Sequence, residues 1–286
     1  MKKAALSPFV RLIISLVCTV GALLIMANVV RGSIEALPAS EWLSKYEGLL
    51  YAVPLNVVMV IAYYFYVVKI EKRAAEELGI SGAIREFGSG FILGAGLLGA
   101  VVGILWMLGH YQVSGFNNVS VLAIPFFSML ARSLGEELIF RVILFRITEE
   151  GLGTWIALLI SSAFFGLAHL GNPAATWIST LAISLEAGVL LGAVYMVTRR
   201  LWMAWGVHFA WNFVQGPVFG IEVSGTNQTG LFIPEMSGPE LITGGAFGVE
   251  ASLIAIVLCF GVAIPLLFRA KKAGQFKRPF WQATPS

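Results

Sequence analysis

Apolar residues in this chain gather into runs close to the roughly 20 residues that carry a helix across a hydrocarbon core about 30 Å thick, with short polar connections between them. The runs cover residues 9–30, 49–68, 89–108, 119–145, 154–170, 177–197, 202–219 and 247–268. This pattern predicts an all-α fold, a polytopic membrane helical bundle of about eight transmembrane helices. No connection is long and polar enough for a separate soluble domain, so 1–286 reads as a single membrane-embedded domain. Residues 71–87 mix both charge signs and predict a short interfacial helix. Residues 220–246, acidic and rich in Gly, Ser, Thr and Pro, predict a flexible outer loop. The run after Met1-Lys2-Lys3 is too long for a secretory h-region, and Arg31-Gly32-Ser33 offers no small-x-small cleavage site. It is expected to remain as the first span. No internal repeat of the secondary-transporter kind is visible.

The basic residues alternate between connections. Lys2 and Lys3 precede the first span; Lys69, Lys72, Arg73 and Arg85 follow the second, and Arg146 follows the fourth. Arg199 and Arg200 follow the sixth, and Arg269, Lys271, Lys272, Lys277 and Arg278 follow the last. The first connection holds only Arg31 and Lys45, and 109–118, 171–176 and 220–246 hold no Lys or Arg. An excess of Lys and Arg marks cytoplasmic connections, so both termini are expected to be cytoplasmic. Asn118-Val119-Ser120 and Asn227-Gln228-Thr229 are formal glycosylation acceptors on the opposite side. Trp42, Trp155, Trp177, Trp202 and Trp281 fall near the span ends and read as interfacial anchors, and the glycines of 94–103 read as a close-packing stripe.

Composition agrees. The chain is 58% hydrophobic, and its mean hydropathy of +0.84 lies outside the range of a soluble domain. A net charge of +3 with no basic cluster beyond the topology signals argues against a nucleic-acid partner. Cys18 and Cys259, both inside spans, provide neither a disulfide framework nor a thiolate cluster and read as buried small hydrophobes.

Against this background the stretch Glu136-Glu137-Leu138-Ile139-Phe140-Arg141 stands out. Ionisable groups at bilayer depth are costly, face a bundle interior or a wet cavity, and mark function. Glu137 and Arg141 sit at i and i+4 and are expected to pair. Glu136 lies about 100° round the helix and shares its face with Arg132 and Phe140. One carboxylate is thus held while the other keeps the freedom a general base needs. A structural ion-pair network is the alternative. His169 ends the fifth run. His208 and Asn212 lie one turn apart on one face of the seventh, and His110 is at a boundary. A lone helical His is commonly a hydrogen-bonded core residue, and an intramembrane Asn commonly joins helices. The three runs together favour one shared site.

The ordered set E-E-x-x-x-R at Glu136–Arg141, F-x-x-x-H at Phe165–His169 and H-x-x-x-N at His208–Asn212 resembles the type II CAAX prenyl protease family, the Ras-converting-enzyme-like intramembrane endopeptidases. The resemblance covers residues 119–219, the expected catalytic core. It implies that Glu136 activates water, with Glu137 and Arg141 in support. It implies His169 as a second catalytic group, with His208 and Asn212 steadying the oxyanion. This chain has Val142 where relatives often have Gly, and Glu186 where an apolar or aromatic residue is expected. Glu186 is a candidate partner for Arg132 or Arg141, or a cavity-lining group.

Glu136, His169 and His208 also match the ligand types of a catalytic zinc site. No H-E-x-x-H spacing is present, so a metal-free mechanism with no required cofactor is expected, with zinc as the alternative. Counted from the expected cytoplasmic ends at about 1.5 Å per residue, Glu136 lies about 15 Å deep, His208 about 12 Å and His169 about 22 Å. Tilt or a lowered fifth helix would close the gap. The expected partners are the lipid bilayer and a membrane-embedded or lipidated peptide substrate. The expected location is the cell membrane in a bacterium or archaeon, or the endoplasmic reticulum in a eukaryote. A non-catalytic scaffold or immunity protein of the same fold, or a transporter, are the competing readings. The Thr284-Pro285-Ser286 end is no prenylation box.

Overall fold

The structure is a computed structural model that describes residues 6–282. Lys2, Lys3 and the Thr284-Pro285-Ser286 end lie outside the described residues. Helix α1 spans Pro8–Glu35, starting where Ser7 accepts a hydrogen bond from the Val10 amide and Pro8 supplies a first residue that needs no donor. Helix α2, Glu41–Phe65, begins on the Ser40 cap and runs into a π-helical turn, Tyr66–Glu71. Then come α3 (Ala83–Met107), strand β1 (Tyr111–Phe116) and α4 (Ala123–Glu137), which continues through a π-helical stretch, Leu138–Phe145, into α5 (Arg146–Leu152). Gly153, at φ +77°, ends that rod and lets α6 (Thr154–Ala168) turn back. Helix α7 (Trp177–Ile183) opens on a reciprocal Thr176–Ser179 capping box and passes through π-helical Ser184–Gly188 into α8 (Val189–Thr198). Helix α9 (Leu201–Phe213) leads into π-helical Val214–Val218. Strand β2 (Phe232–Met236), the short α10 (Glu240–Thr243) and α11 (Leu253–Lys272) follow.

All eight apolar runs are helical, and the all-α bundle stands. Six are long and apolar enough to cross a membrane: Pro8–Glu35, Glu41–Glu71, Ala83–Met107, Val119–Leu152, Trp177–Thr198 and Leu253–Lys272. α6 is shorter, at 15 residues. The final helix begins at Leu253 rather than residue 247, because Gly245–Phe247 and Val249–Ala251 form tight 3-10 turns before Ser252 caps it.

The connections expected on the cytoplasmic side meet at one end of the bundle. Arg11 pairs with Glu71 and Glu150, Arg146 reaches Glu150 (3.1 Å) and Glu71 (3.2 Å), and Arg73 reaches Glu71 (2.6 Å). Arg199 binds Glu149 at 2.5 Å, with Lys277 3.6 Å from the same carboxylate, and Arg200 binds Glu86 at 2.9 Å. These pairs replace the expected interfacial helix. Only Glu76–Leu78 forms a 3-10 turn between the π-helical end of α2 and the start of α3, where Arg73 and Glu77 bind each other and Tyr63.

At the other end, the expected flexible loop is a structured cap. β2 pairs antiparallel with β1 across a bulge between Val113 and Gly115, and Tyr111 donates to the Phe219 carbonyl at 3.0 Å. Asn172 donates to the Ser224 carbonyl at 2.7 Å and Gln215 to the Glu222 carbonyl at 2.5 Å. Alternation is short here and its partner lies more than a hundred residues away, so no strand was legible in the chain.

The tightest seam joins α3 and α9. A Cβ on Gly90 would sit 2.2 Å from the Met203 carbonyl oxygen, and one on Gly94 2.4 Å from that of Val207. The close-packing stripe is therefore Gly90 and Gly94; Gly96, Gly99 and Gly103 have open space before them.

Candidate active site

The site lies where α4, α6 and α9 converge. Glu137 is fully buried. One of its oxygens accepts from His208 Nδ1 at 2.9 Å, and the other lies 3.2 Å from Arg141 Nε, a close ion pair out of hydrogen-bond alignment. The i, i+4 spacing predicted that pair. The Arg141 guanidinium is also held by Ser161 Oγ (3.3 Å) and the Ala187 carbonyl (3.4 Å), and lies 4.7 Å from the centroid of the Phe165 ring. A buried charge persists only when paired and bonded in this way.

Glu136 differs. Its side chain is 35% exposed, against none for Glu137, although its Oε2 is itself buried and without a hydrogen-bond partner. Its Oε2 lies 3.8 Å from His169 Nε2 and 3.7 Å from His208 Nε2. Those distances are too long for direct hydrogen bonds and suit a bridging water. Both rings are tied back on the far nitrogen: His169 Nδ1 donates to the Phe165 carbonyl at 2.8 Å, as His208 Nδ1 does to Glu137. A carbonyl and a carboxylate only accept, so each neutral ring carries its proton on Nδ1 and turns the Nε2 lone pair toward Glu136. Glu136 Oε2 thus faces the Nε2 atoms of both rings.

The depth mismatch between Glu136 and His169 closes because the fourth rod runs past residue 145, through α5 to Leu152, whereas His208, counted from Leu201, is about 10 Å along α9. Counted from Leu152, Glu136 is about 24 Å along its helix, and counted from Thr154, His169 is about 22 Å along α6. A lowered fifth helix is not needed, and the remaining difference places the start of α9 deeper than the end of α5 and the start of α6. Gly166 completes the approach: a Cβ there would meet Ser184 Oγ at 1.9 Å, so α6 packs against the π-helical turn of α7 with its backbone.

Asn212 lines a cavity together with His169 and His208. Glu186 lines the same cavity and accepts from Cys259 Sγ at 3.1 Å; it pairs with neither Arg132 nor Arg141. Cys259 is buried as expected but bonds to a carboxyl, and Cys18 is half-buried. Arg132 is exposed and in no ion pair among the described residues. Phe165, the first residue of the F-x-x-x-H motif, contacts Arg141, His169 and His208 through its ring. One group at the site had no sequence signal of its own. Glu250, within a run taken as apolar, is buried with Ser224 Oγ donating to it at 2.5 Å. Burial pushes its carboxyl up, against the pull of that hydrogen bond.

Residues 117–214 match the family model described as type II CAAX prenyl endopeptidase Rce1-like. Over this segment the chain is similar to that family. No curated protein and no solved structure matches the chain. The matched segment contains all seven residues of the motif set, from Glu136 to Asn212, and the apolar helices around it make this an integral membrane protein. Zinc suits Glu136, His169 and His208 in donor type, and tied-back Nδ1 atoms are usual for metal-bound histidines. As placed, no three His, Cys, Asp or Glu side chains among the described residues are arranged to hold a metal ion.

Proposed function

We propose that this protein is an intramembrane endopeptidase that hydrolyses a peptide bond in a membrane-embedded or lipid-modified substrate, through water activated by Glu136. The observation that carries this reading is that Glu136 Oε2 lies 3.8 Å from His169 Nε2 and 3.7 Å from His208 Nε2, spacings that suit a bridging water.

Glu136 takes a proton from that water as its oxygen bonds to the scissile carbonyl carbon. His169 Nε2 accepts the other O–H and fixes the lone-pair direction. Negative charge then moves to the carbonyl oxygen, where the Asn212 carboxamide and, in its protonated form, His208 Nε2–H are the donors. The C–N bond breaks, the proton held by Glu136 passes to the amine, and an acid and an amine leave. Glu137 and Arg141 position: they hold the His208 ring and the helix that carries Glu136. No step needs a metal ion. Activity is expected to survive exhaustive chelation, and loss with recovery on added Zn2+ would place the metal in the site.

The test compares peptide termini in membranes carrying wild type or Glu136→Ala at matched expression. Cleavage sites in membrane-proximal segments are expected with wild type alone, and they would define the substrate class. Coincident profiles, with the cellular phenotype intact in the variant, would favour a binding scaffold of the same fold.

A further inference from the structure

Behind the two imidazoles lies a small cavity of about 20 Å3, room for a single water. His169, His208 and Asn212 form its wall toward the reaction point, and Glu186 and Trp211 contribute further lining. Two polar atoms of those last residues are buried without a protein partner, the acceptor Glu186 Oε2 and the donor Trp211 Nε1. The residues are only 2% and 6% exposed. Leaving such atoms unpaired costs about 1–3 kcal/mol each, and a buried water is stable where it finds two to four polar partners. A water in this cavity would accept from the indole N–H and donate to Glu186. The other Glu186 oxygen is already engaged by Cys259 Sγ. Glu186 projects from the π-helical turn Ser184–Gly188, a local widening of the helix often found at functional positions.

We propose that this cavity is a bound-water site, held by Glu186 and Trp211, that resupplies water to the reaction point beside Glu136. The supply role rests on the hydrolase reading; the water site rests on the cavity and its two orphaned atoms. Hydrolysis consumes one water per turnover, and the wall shared with His169 and His208 puts the store one side chain from its point of use. It also accounts for a carboxyl at 186, where an apolar residue would pack without a partner.

The test is X-ray radiolytic footprinting of the full chain in lipid nanodiscs, which oxidises side chains beside bound water whether or not bulk solvent reaches them. Trp211 and Cys259 are expected to be labelled in wild type despite burial. Labelling is expected to fall severalfold in Glu186→Leu, to persist in Glu186→Gln, and to stay constant at exposed Trp106. Unlabelled Trp211 and Cys259 in wild type overturn the site. Should Glu186→Leu fold poorly, Trp211→Phe removes only the donor and is read at Cys259. With a cleavable substrate, Glu186→Leu is expected to lower kcat about tenfold, as for one lost hydrogen bond, at unchanged KM, with Glu186→Gln near wild type. Lost labelling with unchanged kcat overturns the supply role. A labelled wild type that cleaves nothing overturns the hydrolase reading, and the supply role with it, while the water site stands.

Discussion

Two adjacent glutamates carry opposite assignments because one helical step separates a buried face from an open one. Glu137 is sealed between Arg141 and His208, whereas Glu136 faces two Nε2 atoms and remains partly accessible. Changing Glu136 to Gln is therefore expected to lower kcat by about a hundredfold or more, the usual scale for a lost general base, with little change in unfolding midpoint. Arg141→Met behaves in the opposite way. Removing one partner of a buried ion pair leaves the other uncompensated and costs about 3–5 kcal/mol, which thermal unfolding in detergent would register. Combining it with Glu137→Leu is expected to recover part of that stability but no activity, since the His208 ring loses its anchor. Recovery of both would make Glu137 structural alone.

Among the elements, position is set by backbone contacts at glycines and by π-helical turns. Gly166 lets α6 touch the Ser184–Gly188 turn, and Gly94 and Gly206 let α3 and α9 meet at backbone distance. His169 and His208 ride on those two helices, so packing errors there move both imidazoles relative to Glu136. Gly166→Ala introduces a Cβ 2.4 Å from the Thr180 carbonyl oxygen. Overpacking of this kind costs about 1–3 kcal/mol, and near-attack geometry lost by about 1 Å costs about a hundredfold in rate. Activity is expected to drop further than stability, a difference visible by measuring both on one preparation. Equal small losses would show that α6 shifts without disturbing His169. Three of the four π-helical stretches adjoin the site: Leu138–Phe145 follows Glu137, Ser184–Gly188 carries Glu186, and Val214–Val218 follows Asn212. The run lengths showed that helices are there but held no sign of these widened turns.

For the whole molecule, charge gathers at one end and a strand-paired cap closes the other. Glu77 illustrates the charged end. Burial alone would lift its carboxyl, but the Arg73 fork at 2.6 and 2.8 Å, the Arg146 charge and the Tyr63 hydroxyl hold it below its ordinary value of 4.5. A depressed carboxyl stabilises the fold fully above its unfolded value, and that contribution is lost as pH falls through the folded one. The unfolding midpoint is expected to hold between pH 7 and about 5 and to decline below about 4.5, with a shallower decline in Glu77→Gln. An equally steep decline in the variant would assign the acid sensitivity to other carboxylates.

The sequence by itself determined the helices and the local pairs. Apolar run length answers to a bilayer of fixed thickness, Glu137–Arg141 and His208–Asn212 are one turn apart on a helix whatever surrounds them, and the basic connections were countable. These are properties of short stretches of chain. Tertiary structure alone decided the rest. Whether Glu136 meets His169 depends on the fourth rod continuing to Leu152 and on Gly166 admitting α6, and neither leaves a periodic trace in the sequence. The pairing of β1 with β2, the placement of Glu250 and the cavity between Glu186 and Trp211 join residues far apart in the chain. Their meeting is fixed by packing, which one-dimensional hydropathy does not record.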